Sequence, residues 1–311
     1  MSRAPEAPSS AHVLRATLLV VLSACCFGSI APLTVIATGH GMALESVQAW
    51  RYTTSAVLLV AVGWWRGAPL RRGVTPWFAP HILLVAGGGQ ATIATLALLS
   101  LQWIPTATAS FLFYTFPAWV AVITAIRGIE RLARTRVTAL LLALGGIGFM
   151  VGAPSKASLN PLGVAAVLAA ALAYALYIPI LGSLQRQREA IDVSRAIAVG
   201  GAVLFVGWAV VTGTLFRIPD GVAFGASALQ GVLSAVSFLA FLAGLRVLGP
   251  VRTAITSTVE PFWTTMLGLV LLRQSVGTGT LIGGVAIMGA VLLLQRPAGA
   301  LRPAHSSAAD P

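Results

Sequence analysis

Residues 14–38 read LRATLLVVLSACCFGSIAPLTVIAT, and beyond Arg15 no charged residue occurs up to Thr38. About 20 apolar residues are enough to cross a bilayer as a helix, so this run predicts a transmembrane span. Nine more runs of the same kind follow between Arg, Gly and Pro punctuation: 45–65, 81–101, 105–126, 135–153, 161–182, 193–214, 223–245, 250–272 and 276–295. The whole chain keeps this character, with 57% apolar and 9% charged residues over 311 positions and a mean hydropathy of +0.90. A soluble globule has too little polar side chain to cover such a surface, and disorder requires low hydrophobicity. The expected fold is an all-α membrane protein of ten transmembrane helices, leaving only tails at 1–13 and 296–311 outside the spans.

The basic residues orient the spans. With the N-terminus cytoplasmic, Arg3, Arg15, Arg66, Arg71, Arg72, Arg127, Arg131, Arg134, Arg136, Arg186, Arg188, Arg195, Arg246, Arg252, Arg296 and Arg302 fall inside, against Arg51, Lys156, Arg217 and Arg273 outside. Sixteen against four follows the positive-inside rule through all ten spans and places both termini in the cytoplasm. The net charge of +12 is thereby topological, and no nucleic-acid partner is expected. Cys25 and Cys26 are adjacent in an apolar run, and no His lies at ligand spacing from a Cys or another His, so neither a disulfide framework nor a metal site is expected.

Shifted by 144 residues, the chain matches itself. Arg51 falls on Arg195, Val62-Gly63-Trp64 on Val206-Gly207-Trp208, Leu101 on Leu245, Pro117 on Pro261, Trp119 on Trp263 and Gly145 on Gly289. At a shift of 147, Pro32 falls on Pro179. Each copy, 14–153 and 161–295, holds five spans, and an odd number inverts the second copy relative to the first. Inverted repeats are a hallmark of secondary transporters, with the substrate site near the midplane between copies. Pro32, Pro117, Pro179 and Pro261 lie well inside spans, where each removes a backbone hydrogen bond and supplies a candidate hinge.

Several short segments then carry a resemblance. They are Phe27-Gly28-Ser29, Arg51 at the head of the second span, Thr106–Ser110 leading to Pro117, Gly128-Ile129-Glu130-Arg131-Leu132, and Val259-Glu260-Pro261. Together with ten spans in two five-helix copies, they resemble the drug/metabolite transporter superfamily in its EamA-type branch, with YddG-like amino-acid exporters as the nearest kind. The resemblance spans about 14–295. The second copy departs from it at Arg273-Gln274-Ser275, where a Gly-Glu-Arg is usual. It implies export of small metabolites, often amino acids, from the inner membrane, with no cofactor.

Ionisable groups at membrane depth are functional candidates by default, and Glu260 is the one acid near the middle of a span. Thr253, Thr256, Ser257, Glu260 and Thr264 share one helical face, which reads as a polar wall ending in a carboxylate. Thr106, Ser110 and Tyr114 form a weaker stripe before Pro117, while the repeat equivalents of Thr253, Ser257 and Glu260 are Ala109, Phe113 and Phe116. A polar wall facing an aromatic one suits an amphipathic solute. Gln90, Ser234, Ser237, Ser29 and Tyr177 (with Tyr174) complete the candidate substrate-binding set. Arg51 and Arg195 are expected to snorkel to headgroups or cap loops, the other reading being that they attract anions. Trp64, Trp65, Trp77 and Trp103 are expected as interfacial anchors. Glycines at 87–89, Gly148…Gly152 and Gly279…Gly283 are expected at close helix contacts.

No HExxH, GxSxG or CxxC occurs, so an integral membrane enzyme is the weakest of the readings. The expected partners are a small-molecule substrate and the lipid bilayer. Within transport, the alternatives are an amino-acid exporter and a permease for drugs, organic cations or nucleosides.

Overall fold

The computed structural model describes residues 10–67, 76–126, 134–152 and 159–294; the predicted tails fall almost entirely outside these, as does the 128–132 segment. The described chain is helical: α1 (Ser10–Gly28), α2 (Ile30–Gly39), α3 (Leu44–Trp65), α4 (Pro80–Leu83), α5 (Gly89–Leu99), α6 (Thr106–Phe113), α7 (Phe116–Ile126), α8 (Arg134–Gly152), α9 (Pro161–Gln187), α10 (Ala190–Val211), α11 (Gly221–Ser257), α12 (Val259–Leu272) and α13 (Thr278–Leu294). A π-helical turn, Leu84–Gly88, joins α4 to α5 in one apolar stretch. Among the described residues, five stretches are long and apolar enough to cross a membrane: Ser10–Gly39, Pro80–Gln102, Pro161–Leu181, Ala190–Val211 and Gly221–Leu248.

Two predicted boundaries shift. The inner loop expected at 246–249 does not interrupt α11, which continues to Ser257, and the break comes instead at Thr258. Glu260 therefore sits in the first turn of a half-helix rather than mid-helix. A proline at 250 removes one backbone bond, which alone need not end a helix held by its neighbours. The break at 258 has a closer cause, described below.

Packing brings distant segments together: α1 lies along α11, α3 along α10 and α11, and α8 along α13. The largest apolar cluster joins α3, α10 and α11 around Tyr52, Phe205 and Phe238, with Tyr52 stacked on Phe205 at 5.2 Å. Large apolar side chains point outward along most helices, and Trp64 and Trp65 are 84% and 86% exposed at the end of α3. An outer face of this kind is what lipid, rather than water, would cover. Trp77 departs from its expected anchoring role. It is buried, and the Arg195 guanidinium lies over its ring at 5.6 Å.

Candidate functional site

Pro32, Pro117 and Pro261 have no N–H to give the carbonyls four residues back, those of Gly28, Phe113 and Ser257. Just behind each proline the helix is interrupted, at Ser29, at Tyr114–Thr115 and at Thr258. Tyr114 and Thr258 are 144 residues apart, the period of the sequence repeat. Pro179 behaves differently, because α9 runs through it unbroken. Two of the freed carbonyls are taken up by a neighbouring broken helix. The Tyr114 hydroxyl donates to the Ser257 carbonyl, and Thr264 Oγ1 donates to the Gly28 carbonyl at 2.9 Å. Inside a bilayer an unmet carbonyl costs several kcal/mol, so these contacts tie the breaks in α1/α2, α6/α7 and α11/α12 to one another. Gly28 is required by the close approach: a Cβ there would lie 2.9 Å from the Glu260 carbonyl oxygen and 2.8 Å from Thr264 Oγ1.

Glu260 lies at this junction. The Tyr114 hydroxyl is 3.0 Å from Glu260 Oε2, and Glu260 stands in the first turn of α12. Trp263 Nε1 donates to Ser29 Oγ at 2.9 Å, and Ser29 Oγ donates to the Cys25 carbonyl at 2.8 Å. Aromatic rings extend the site, with Tyr114 5.8 Å from Phe116, Phe116 4.8 Å from Tyr174, and Tyr174 stacked on Phe113 at 5.4 Å. A carboxylate beside aromatic faces is the chemistry that receives an organic cation or ammonium group.

The structure thus gathers Glu260, Tyr114, Ser257, Thr264 and Ser29 in one place. Ser257 takes part through its carbonyl, since its hydroxyl donates back to Thr253 O at 2.9 Å. Thr253 is buried on the same helix, and Ser110 is half-buried one turn before Tyr114. The remaining candidates have other neighbours. Ser234 accepts from Arg51, Ser237 pairs with Ser23, Tyr177 donates to the Ala86 carbonyl at 2.7 Å, and Gln90 opens α5 near Tyr52. Trp263 was missed by sequence reasoning, although it stands three residues from Glu260 and matches Trp119 across the repeat.

A profile of the EamA-like transporter family matches residues 14–152 and again 161–296. The chain belongs to the EamA-like transporter family. Membership points to a transporter rather than a membrane enzyme. The chain is 26% identical over 230 residues to the uncharacterized inner membrane transporter YicL of Salmonella typhimurium, covering 70% of this chain and 73% of that one. A solved crystal structure superposes with a TM-score of 0.65 at 20% identity, covering 94% of this chain and 100% of the other, a likeness of fold.

In this EamA-like transporter the two repeat-matched arginines do not snorkel. Arg51 and Arg195 are 3% and 1% exposed, because each side chain is drawn into the interface between packed helices. Arg195 Nη1 lies 3.3 Å from Asp192 Oδ1, and its Nε faces the Leu59 carbonyl. Arg51 donates from Nε to Ser234 Oγ at 2.8 Å and from Nη1 to Gln48 Oε1 at 3.0 Å. The predicted outer ends of the transporter are also tied across its two matched regions. His40 Nδ1 meets Asp220 Oδ2 at 2.6 Å, Trp50 Nε1 donates to the Leu215 carbonyl at 3.1 Å, and Thr106 donates to Gln274 Oε1 through both N and Oγ1. The Ala223 amide, then His40, hold the Asp220 carboxyl below the ordinary aspartate range.

Proposed function

We propose that the protein exports small amphipathic metabolites, amino acids first among them, across the inner membrane. It does so by alternating access between two inverted five-helix halves, 14–153 and 161–295, with both termini in the cytoplasm. The observation that carries this reading is the Glu260 carboxylate, held by Tyr114 where three proline-broken helices meet, beside the Phe116 and Tyr174 rings. A half-helix end with a charged group and aromatic faces is suited to bind the ammonium of a solute while its apolar part lies on the rings. The breaks at Pro32, Pro117 and Pro261 supply hinges on both halves. Support for an inverted pair comes from the 144-residue self-match, the two family matches and the packing of α3 on α10. The relative's inner-membrane designation supports the compartment.

A second reading, an organic-cation or nucleoside permease, draws on the same aromatic cluster, which would accept a planar cation equally well. Counterflow in proteoliposomes separates the two. Vesicles loaded with one labelled amino acid are challenged with aromatic, aliphatic, basic and acidic amino acids, nucleosides and a lipophilic cation. Exchange confined to amino acids is expected, and Glu260→Gln should reduce it at least tenfold. Exchange of the cation or the nucleosides alone would replace the first reading with the second.

A further inference from the structure

Pro261 leaves the Ser257 carbonyl without its helical N–H, and the Tyr114 hydroxyl takes that place from the other matched region of the chain. The same hydroxyl oxygen lies 3.0 Å from Glu260 Oε2. A phenol has one proton to give and lone pairs with which to accept, so it can donate to one of these neighbours and receive from the other. The Ser257 carbonyl can only accept. Both contacts are therefore full hydrogen bonds together only when Glu260 carries a proton and donates it to the Tyr114 oxygen, which leaves the phenol proton on Ser257. An ionised Glu260 reverses this, because a hydrogen bond to a charged group is roughly twice as strong as a neutral one. The phenol proton then turns to the carboxylate, and the Ser257 carbonyl loses the Tyr114 donor.

The carboxyl is placed to exchange its proton. Tyr114 is 4% exposed, but Glu260 is only partly buried, and among the described residues its Oε1 has no hydrogen-bond partner. The elements packed against α12 are α1, α2 and α6. At this level α1 contributes Cys25 and Cys26, the end of α6 contributes Tyr114, and α2 has no titratable side chain; Tyr174 on α9 lies against the Phe116 ring. None of these is a cation, and among the described residues no basic side chain lies within ion-pair distance of Glu260.

We propose that Tyr114 is a proton-controlled latch between the two matched regions. While Glu260 is protonated, Tyr114 holds the Ser257 carbonyl and so ties the α6/α7 break to the α11/α12 break. When Glu260 gives up its proton, that tie is released. In the release step the Glu260 O–H bond breaks and its proton passes to water, while the phenol keeps its own proton and turns about its C–O bond. The latch stands on the hydrogen bonds of the junction alone. Its use in transport rests on the reading of Glu260 given above: a solute ammonium needs the ionised carboxylate, so solute and proton exclude each other there, and solute is held only by the unlatched form.

The test uses the full chain in lipid nanodiscs, without solute, and infrared difference spectra recorded across pH. The protonated Glu260 carboxyl is the C=O band that Glu260→Gln removes. The Ser257 carbonyl is followed in protein labelled with carbon-13 at its serine carbonyls, as the band that Ser257→Ala removes in each background; alanine deletes the label and leaves the backbone carbonyl in place. The Ser257 band should move to higher frequency as the Glu260 band disappears, with the same midpoint in pH. In Glu260→Gln, whose amide donates to the Tyr114 oxygen as the acid does, it should stay at the lower frequency at every pH. In Tyr114→Phe it should stand at the higher frequency throughout, while the Glu260 band still titrates; if that variant does not fold, the native chain and Glu260→Gln decide. A Glu260 band that titrates with the Ser257 band fixed would overturn the proposal. So would a Ser257 shift that survives in Glu260→Gln, or a Glu260 carboxyl that does not titrate while the chain stays folded. A coupled shift alongside absent amino-acid counterflow would leave the latch standing and remove the exporter reading; counterflow with no shift would do the reverse.

Discussion

The Tyr114 hydroxyl carries one proton and faces two acceptors, the Ser257 carbonyl freed by Pro261 and the Glu260 carboxylate. Tyr114→Phe keeps the ring against Phe116 and removes only this bridge. Losing a buried donor that leaves acceptors unmet costs about 1–3 kcal/mol, and more where an acceptor is charged. The variant should therefore unfold at a lower temperature and lose counterflow together with Glu260→Gln; unchanged midpoint and rate would remove Tyr114 from the site. Glu260 itself was legible in the sequence, since an acid inside an apolar run stands out. Its partner was not, because 146 residues separate the two and helical periodicity says nothing about which neighbour fills a broken bond. Arg51 shows the opposite failure. A charged residue near a predicted span end reads as a snorkelling one, and only tertiary packing shows it buried. The contrast between Gln48 and Asp192 was nevertheless available in the sequence repeat.

At the scale of elements, the prolines announced where the helices would yield, and three of the four do so. The exception, Pro179, has the same local chemistry, so the outcome there is set by what packs around α9 rather than by the residue. Small residues behave similarly: sequence marks a stretch that can pack closely without saying which turn makes the contact. On α8 the tight contact falls at Gly146, where an added Cβ would lie 2.8 Å from the Gly283 carbonyl, while Gly148 has open space. Neighbouring glycines at 87 and 88 give a clean test. A Cβ on Gly87 would come within 2.4 Å of the Gly200 backbone on α10, whereas one on Gly88 would meet only side-chain carbons at 3.7 Å. Gly87→Ala should force the helices apart and destabilise the fold by about 1–3 kcal/mol, the usual range for overpacking. Gly88→Ala should be neutral or mildly stabilising in the same thermal assay, and equal effects from the two would contradict the contact.

Across the whole molecule, polar contacts at the predicted outer face join the two matched regions, while the Glu260 junction lies between broken helices deeper in the chain. The Asp220 carboxyl, held low by the Ala223 amide and by His40, keeps its charge, and its part of the clasp, at any pH above the ordinary aspartate value of about 3.9. That contribution fades only as pH falls through the lowered value, so the clasp does not open by carboxylate titration near neutrality. Under the proposed alternating access these ends part as the halves rock, and this can be blocked. With Cys25 and Cys26 replaced by Ala, His40→Cys and Asp220→Cys put one thiol on each side of the present His40–Asp220 contact. A membrane-impermeant bis-methanethiosulfonate added from outside, which forms a disulfide with each thiol and releases methanesulfinate, should link them, stop counterflow nearly completely, and release it on reduction. Either single-cysteine variant should be modified without losing exchange, because one tethered loop leaves the other free to part from it. Full counterflow in the linked protein would mean that these ends do not separate during transport, and labelling from the inside alone would reverse the predicted orientation of every span.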